Sequence, residues 1–203
     1  MVSTSVDLNE LLRGAKSNDA QFMLQLGICY RDGKFVTSNG RRARYWFKKA
    51  TLTDDAGAAG LAAMSLGAMY FYGEGTRKNN RLALGWFQHG VHLGSTECQY
   101  WVAHFYEKGI GTPPNKAKAL SLYDAAANAG LSIAQERLAT LLLSQSEGDA
   151  EKQAIAASWY RKAARSGLSS SMYHLAICYL RGLGVPQDRK AAMRWLKRIV
   201  ETA

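Results

Sequence analysis

Leu175-Ala176-Ile177-Cys178-Tyr179-Leu180-Arg181-Gly182-Leu183-Gly184-Val185-Pro186-Gln187-Asp188-Arg189-Lys190-Ala191-Ala192-Met193-Arg194-Trp195 is the stretch on which the reading of this chain turns. It joins a leucine with a small neighbour, a tyrosine, two glycines flanking one residue, an aspartate, an alanine and a tryptophan, and the same order recurs upstream. Leu26-Gly27-x-x-Tyr30, Leu66-Gly67-x-x-Tyr70, Val102-Ala103-x-x-Tyr106 and Leu138-Ala139-x-x-Leu142 repeat the first half. Sixteen residues past the anchor, seventeen in the fourth segment, stand Trp46, Trp86, Leu122, Trp159 and Trp195. Each follows an alanine by three places: Ala43, Ala83, Ala119, Ala156 and Ala192. The second anchors are 40, 36, 37 and 36 residues apart, and the longer first interval is assigned to a small, flexible stretch, Asp54–Ala58. Self-similarity at such a period marks a repeat architecture.

Each unit reads as two antiparallel helices. Apolar residues three and four apart make one face of the first helix, and the small residue beside the leucine admits a close neighbour. Gly33, Gly73, Gly109 and Gly182 end it, with Gly75, Gly111 and Gly184 following, because glycine closes a helix at positive φ without a Cβ clash. The second helix opens at Asn39, Asn79, Asn115 or Asp188, residues whose side chains cap free amides, and Gly94, Gly130 and Gly167 end it in the middle units. Asp7-x-x-Glu10 ahead of Leu11-Leu12 reads as a capping box opening a short N-terminal helix.

The pattern resembles the Sel-one-like repeat (SLR) family, a branch of the tetratricopeptide superfamily, over residues 19–203. The fifth unit matches almost throughout. The fourth, Leu142-Leu143-Ser144-Gln145-Ser146-Glu147-Gly148, lacks the tyrosine and the glycine pair, and its turn is left open. The resemblance implies an all-α, right-handed α-solenoid of about five helix–turn–helix repeats, presenting a concave surface to partners rather than an active site. The expected organisation is one solenoid domain: a capping helix at 1–18 and repeats at 19–53, 58–93, 94–129, 130–166 and 167–203. The anchor Trp and Tyr residues are expected to be core.

The 203 residues carry 26 Lys+Arg against 16 Asp+Glu, a formal charge of +10. No apolar run reaches the ~18–20 residues that span a bilayer. Nothing at the N-terminus reads as a signal peptide, and three scattered cysteines make no disulfide framework. The expected location is cytoplasmic, with export of a processed or effector form left open. Residues 21–50 hold seven cations and one acid and residues 151–203 hold ten and three, so the charge sits towards the two ends of the sequence. Lys48-Lys49, Arg161-Lys162 and Lys197-Arg198 read as a solvated face rather than a nucleic-acid stripe.

Candidate chemistry is sparse. The glycine pairs recur at the repeat period between helices, which makes them turns rather than phosphate loops. His89 and His92 lack the further ligands zinc needs, and His104 and His174 have no nucleophile pattern around them, so neither a catalytic role, a cofactor nor a metal is expected. Cys98 occupies a position held elsewhere by Ala62 or Ala134 and reads as a small buried residue. Trp101 is the exception, standing where other units place Gln25, Ser65, Arg137 and His174. With His104, Tyr100, Phe71 and Tyr72 it makes a candidate partner-binding patch on the concave face, to which Arg137 and His174 belong by register; the alternative is that Trp101 packs between units. The expected function is a non-enzymatic protein-interaction scaffold or adaptor. Two other readings are an immunity-type or regulatory protein that binds and inhibits an effector enzyme, and a basic solenoid that binds nucleic acid. Ile199-Val200, where the family carries Ala-Ala, suggests an apolar end at which a homodimer or partner could form.

Overall fold

Glycines held at positive φ stop the first helix of a hairpin, and the carbonyl of the anchor tyrosine then receives the chain as it turns back. In the computed structural model, which describes residues 8–201, these rules give eleven α-helices and no strand among the described residues. They are α1 (Leu8–Lys16), α2 (Ala20–Asp32), α3 (Gly40–Ala50), α4 (Ala56–Tyr72), α5 (Asn80–His92), α6 (Thr96–Lys108), α7 (Lys116–Asn128), α8 (Ser132–Ser144), α9 (Ala150–Arg165), α10 (Ser169–Arg181) and α11 (Arg189–Glu201). The helices gather into two compact units, Met1–Lys116 and Ala117–Ala203. Asp7, the first residue of the expected capping box, lies outside the described residues.

In the first unit α2 pairs with α3 and α4 with α5; α3 packs on α4, α5 on α6, and the first helices α2, α4 and α6 follow one another along one face. Gly73 (φ 80°) closes α4, its N–H donating to the Met69 carbonyl. Six residues later the Asn79 N–H donates to the Tyr70 carbonyl at 2.8 Å, while the Asn79 side chain accepts from the Leu82 N–H at 3.0 Å. Asn39 repeats both contacts with Tyr30 and Arg42, and the Asn115 N–H reaches the Tyr106 carbonyl. The second glycine of the pair has a different task. Gly75 (φ 61°) lies against the start of α3, where a Cβ would come within 2.6 Å of Gly40 Cα. Gly111 meets the Asn80 carbonyl in the same way. The first hairpin has Phe35 at this position, itself at φ 63° with its ring 67% exposed.

The hydrophobic core is displaced by one residue from the tryptophan anchors. Phe47 and Phe87, each one place after a tryptophan, are completely buried, whereas Trp46 and Trp86 are half-buried against the core's edge. The reason is the small residue of the first helix: the Phe47 ring lies on Gly27, and the Phe87 ring on Gly67, where a Cβ would come within 2.5 Å. Within the stretch Asp54–Ala58, expected to be flexible, Asp54 lies in a bend, Asp55 is the N-cap of α4 and Ala56–Ala58 are its first residues. Asp55 caps it, accepting from the Ala58 N–H at 2.9 Å and from Gln21 Nε2 on α2 at 3.0 Å, which ties the longer connection down. These bonds hold the Asp55 carboxyl below its ordinary range.

In the second unit α8 pairs with α9, α9 packs on α10 and α10 on α11. Gly182 and Asp188 reproduce the closing contacts, the Asp188 N–H reaching the Tyr179 carbonyl at 3.0 Å and the Asp188 carboxylate accepting from the Ala191 N–H. Gly184 lies against the Gln153 backbone on α9. The fourth turn is built differently. Ser146 is buried, with its hydroxyl on the Leu143 carbonyl; Glu147 and Gly148 take positive φ, and Asp149 caps α9 through the Glu151 and Lys152 N–H groups. Tyr160, one place after Trp159, is 1% exposed, so the one-residue displacement recurs here even though Trp159 is itself buried.

Replacing Gly67 by Ala places a methyl inside the contact distance of a ring held on every side. The expected loss is about 1–3 kcal/mol of unfolding free energy, read by urea titration. Gly57→Ala, at an exposed first-turn position of α4, is the control and should cost far less.

Candidate aromatic interface and its relatives

Five of the seven residues singled out in the sequence meet in the first unit. The α4 C-terminus supplies Phe71 and Tyr72, and α6 supplies Tyr100, Trp101 and His104. Phe71 sits between Tyr72 (ring centroids 4.8 Å apart) and Trp101 (5.8 Å); Tyr100 stacks on His104 at 6.5 Å, and Trp101 meets His104 edge-on at 6.0 Å. The cluster rests on two rings that sequence reasoning missed. Phe87, from α5, lies parallel to Trp101 at 5.4 Å with 7° between planes, and Phe105 makes tilted or edge contacts with Phe71 and Phe87. Their signal was positional: one is the residue after a tryptophan anchor, the other the residue before a tyrosine anchor. Aromatic pairs at such separations add about 0.5–1.5 kcal/mol each beyond burial.

Exposure rises outward through this stack. Phe87 and Phe105 are buried, Phe71, Trp101, Tyr100 and His104 are half-buried, and Tyr72 is 58% exposed. Lys78 Nζ stands 5.4 Å from the Phe71 ring centroid. The register shared by Gln25, Ser65 and Trp101 is not uniformly solvent-facing: Gln25 is exposed, Ser65 is buried with its hydroxyl on the Leu61 carbonyl, and Trp101 is between.

Arg137 and His174 belong to α8 and α10 of the second unit. His174 stacks on Tyr160 at 5.1 Å, with Nε2 3.8 Å from the Glu136 carboxylate. The same carboxylate accepts from Ser170 Oγ at 2.6 Å and Ser171 Oγ at 3.2 Å. Both hydroxyls are thus directed at Glu136 rather than at the imidazole, an arrangement that ties α8 to α10. Burial pushes the Tyr160 hydroxyl up in pKa, and it shares a hydrogen bond with Thr140. Arg137 is half-buried beside Glu136 on α8. On α11, Met193 and Val200 are exposed amid Arg189, Lys190, Arg194 and Lys197; pairing this face with its own copy would set like charges together. Among the described residues no group of three or more His, Cys, Asp or Glu converges, and no helix is long and apolar enough to cross a membrane.

Cys98 lies where α4, α5 and α6 converge. Its sulfur is 3.9 Å from the Gly60 carbonyl and fills the space left by Gly90. Burial, the largest influence, lifts its pKa from an ordinary 9.0 to about 11.

Helical hairpins that recur at a fixed period and pack on their neighbours within each unit define an all-α helical-repeat protein. The Sel1 repeat model matches residues 20–52, 60–94, 96–131, 132–168 and 169–201, and the chain belongs to that family. Its structure is similar to that of a Sel1 repeat protein from Oxalobacter formigenes, with a TM-score of 0.83 and 26% identity over 97% of this chain and 79% of that one. Chitin synthase regulatory factor 2 of Schizosaccharomyces pombe is 28% identical over 90% of this chain and 37% of its own length. The exopolysaccharide production negative regulator of Rhizobium meliloti is 33% identical over 53% of this chain and 45% of its own. The chain spans less than half the length of these two curated relatives. Sel1 repeat proteins generally mediate protein–protein interaction, and the family is one of non-catalytic scaffolds.

The Cys98 thiol gives a pH prediction. Its folded pKa is raised, so its contribution is complete below the unfolded value near 9 and declines as pH climbs towards about 11. Stability measured by urea titration at stepped pH should fall more steeply across this window in the native protein than in Cys98→Ala. Equal slopes would refute the assignment.

Proposed function

We propose that this chain is a non-enzymatic interaction module that binds a partner protein on the face formed by the first helices α2, α4 and α6 of its first unit, with the α4–α6 aromatic cluster as the anchor. The observation that carries the reading is the gradient within the cluster: buried Phe87 and Phe105 fix the half-buried Trp101 and Phe71, beside which Tyr100 and His104 are half-buried and Tyr72 is exposed. Rings held rigid from below lose little entropy on binding, which is the character of interface hot spots. Membership of the Sel1 repeat family supports protein binding, and both curated relatives bear the names of regulators. Arg137 and His174, which the sequence register singled out with the cluster residues, lie on α8 and α10 of the second unit and are proposed as polar contacts of that unit taken by itself. A regulatory role, exerted by occupying a partner rather than by chemistry, follows from this reading.

Tyr72→Ala removes an exposed ring and Tyr100→Ala a half-buried one, neither of them in the buried core; Trp101→Ala also removes the stacking on Phe87 and is expected to lower stability. Quantitative mass spectrometry of proteins captured by the native chain and by the Tyr72→Ala/Tyr100→Ala variant should show a specific partner depleted about ten-fold or more, equivalent to ~1.4 kcal/mol. The melting temperature should not change. An identical captured set would sink the proposal.

A further inference from the structure

We propose that the groove between the end of α3 and the solvent face of α5 is a second docking site, which takes an acidic segment of a partner protein and seats one of its aliphatic side chains over Gly85. The groove, about 480 Å³, is walled by Leu52, Leu82 and Trp86, with Arg81 and His89 at its rim. Leu52 is 79% exposed and Leu82 47%, so two aliphatic side chains face water on either side of one depression. Gly85 makes the floor. It lies inside α5, where glycine is disfavoured against alanine, and a Cβ added to it would meet nothing within 4 Å. Gly60, Gly67 and Gly90 are each in close contact with a neighbouring side chain; Gly85 is explained by no such contact in its own fold. The positions before the other tryptophans carry Tyr45, Ser158 and Arg194. What glycine provides here is depth.

Charge decides the occupant. α3 carries Arg41, Arg42, Arg44, Lys48 and Lys49, α5 carries Arg81, His89 and His92, and neither helix has an acid. Of these, Arg81 and His89 line the groove and Lys48 reaches its Trp86 ring, while Arg42 lies on Tyr30, Lys49 on Tyr45 and Arg44 on the Gly75 carbonyl. Between the two helices lie Asp54, Asp55 and Glu74; Asp55 is engaged by the N-terminus of α4 and by Gln21, and none of the three lines the groove. A second copy of this +10 chain is a poor complement to such a rim. A single strand held by base stacking would need an open ring, whereas Lys48 Nζ stands 5.9 Å from the Trp86 ring centroid and His89 meets that ring edge-on at 5.8 Å. An acidic peptide with an aliphatic residue matches both the leucine walls and the cationic rim. This site is independent of the α4–α6 cluster.

Fluorescence anisotropy tests it with a labelled peptide of Glu and Asp around a central Leu-Leu pair. The comparators are the same peptide with Ser-Ser at its centre, single-stranded DNA of equal charge, and vesicles containing phosphatidylglycerol. The leucine peptide should bind, more weakly as salt rises, and at least about ten-fold more tightly than the serine peptide. Gly85→Leu fills the groove and should weaken binding about ten-fold or more, Gly85→Ala should do so to a smaller extent, and Lys48→Glu/Arg81→Glu should abolish it. The Gly85 variants should keep native circular dichroism and melt no lower than the native chain, while Tyr72→Ala/Tyr100→Ala should bind the peptide normally. No binding of the leucine peptide, equal affinity for the serine peptide, equal or tighter binding of DNA or vesicles, or indifference to both Gly85 substitutions would each overturn the proposal. So would loss of binding in Tyr72→Ala/Tyr100→Ala, since it would merge the two surfaces.

Discussion

The close approach of one hairpin's turn to the helix start of the hairpin before it is the constraint from which the remaining geometry follows. At Gly75 against Gly40, Gly111 against Asn80, and Gly184 against Gln153, a side chain would run into backbone atoms, which cannot move aside as a flexible side chain can. Positive φ at the same glycines adds a second requirement that L-residues meet only with strain. In the first unit Arg44 tightens the contact by donating to the Gly75 carbonyl at 2.6 Å. Once that spacing is set, the ring of one second helix falls beneath the first helix of the next hairpin, and Phe87 is placed where Trp101 can stack on it. Nearest-neighbour contacts of this kind are the stabilising unit of repeat proteins.

Phe35 shows what the constraint does by showing its relaxation. It holds the left-handed conformation of the second glycine, yet carries a large side chain that is two-thirds exposed. The element before its hairpin is the single helix α1, which packs on α2, and the ring projects into solvent rather than into backbone. The backbone geometry of the turn therefore persists where the steric reason for glycine does not, at a strain of roughly 1–2 kcal/mol. Turn geometry and close approach are separable requirements that glycine satisfies together at Gly75, Gly111 and Gly184.

The features legible in the sequence are those set by one residue type at one position: the capping Asn39, Asn79 and Asp188, the left-handed closures at Gly33, Gly73, Gly109 and Gly182, and buried Cys98 beside its small neighbours. The core's displacement was not legible, because Trp46 and Phe47 are both aromatic and adjacent, and only the ring's seat on Gly27 distinguishes them. The fourth turn lacked the glycine pair, and its solution uses a buried serine and a capping aspartate whose spacing no other unit shares. At the candidate site, register located Trp101 and its neighbours on α4 and α6, but Phe87, which fixes the ring, comes from α5, a second helix that the reading of the first helices did not include.

Two surfaces of the first unit consequently differ in the range of the forces they exert. The α4–α6 cluster acts only on contact, since aromatic packing and desolvation vanish within a water layer. The cations of α3 and α5 act over a Debye length of about 8–10 Å at ordinary salt and select the sign of what approaches. Averaging a net charge of +10 over the chain conceals this division. Residues 51–150 are near neutral in sum, yet Arg81 and His89 lie within that span and share the face of α5 with Trp86. A basic composition in a repeat protein is thus better read helix by helix: here the carboxylates among the first unit's described residues sit at helix caps, in turns, on α1 and on the first helices, leaving the second helices α3 and α5 without one.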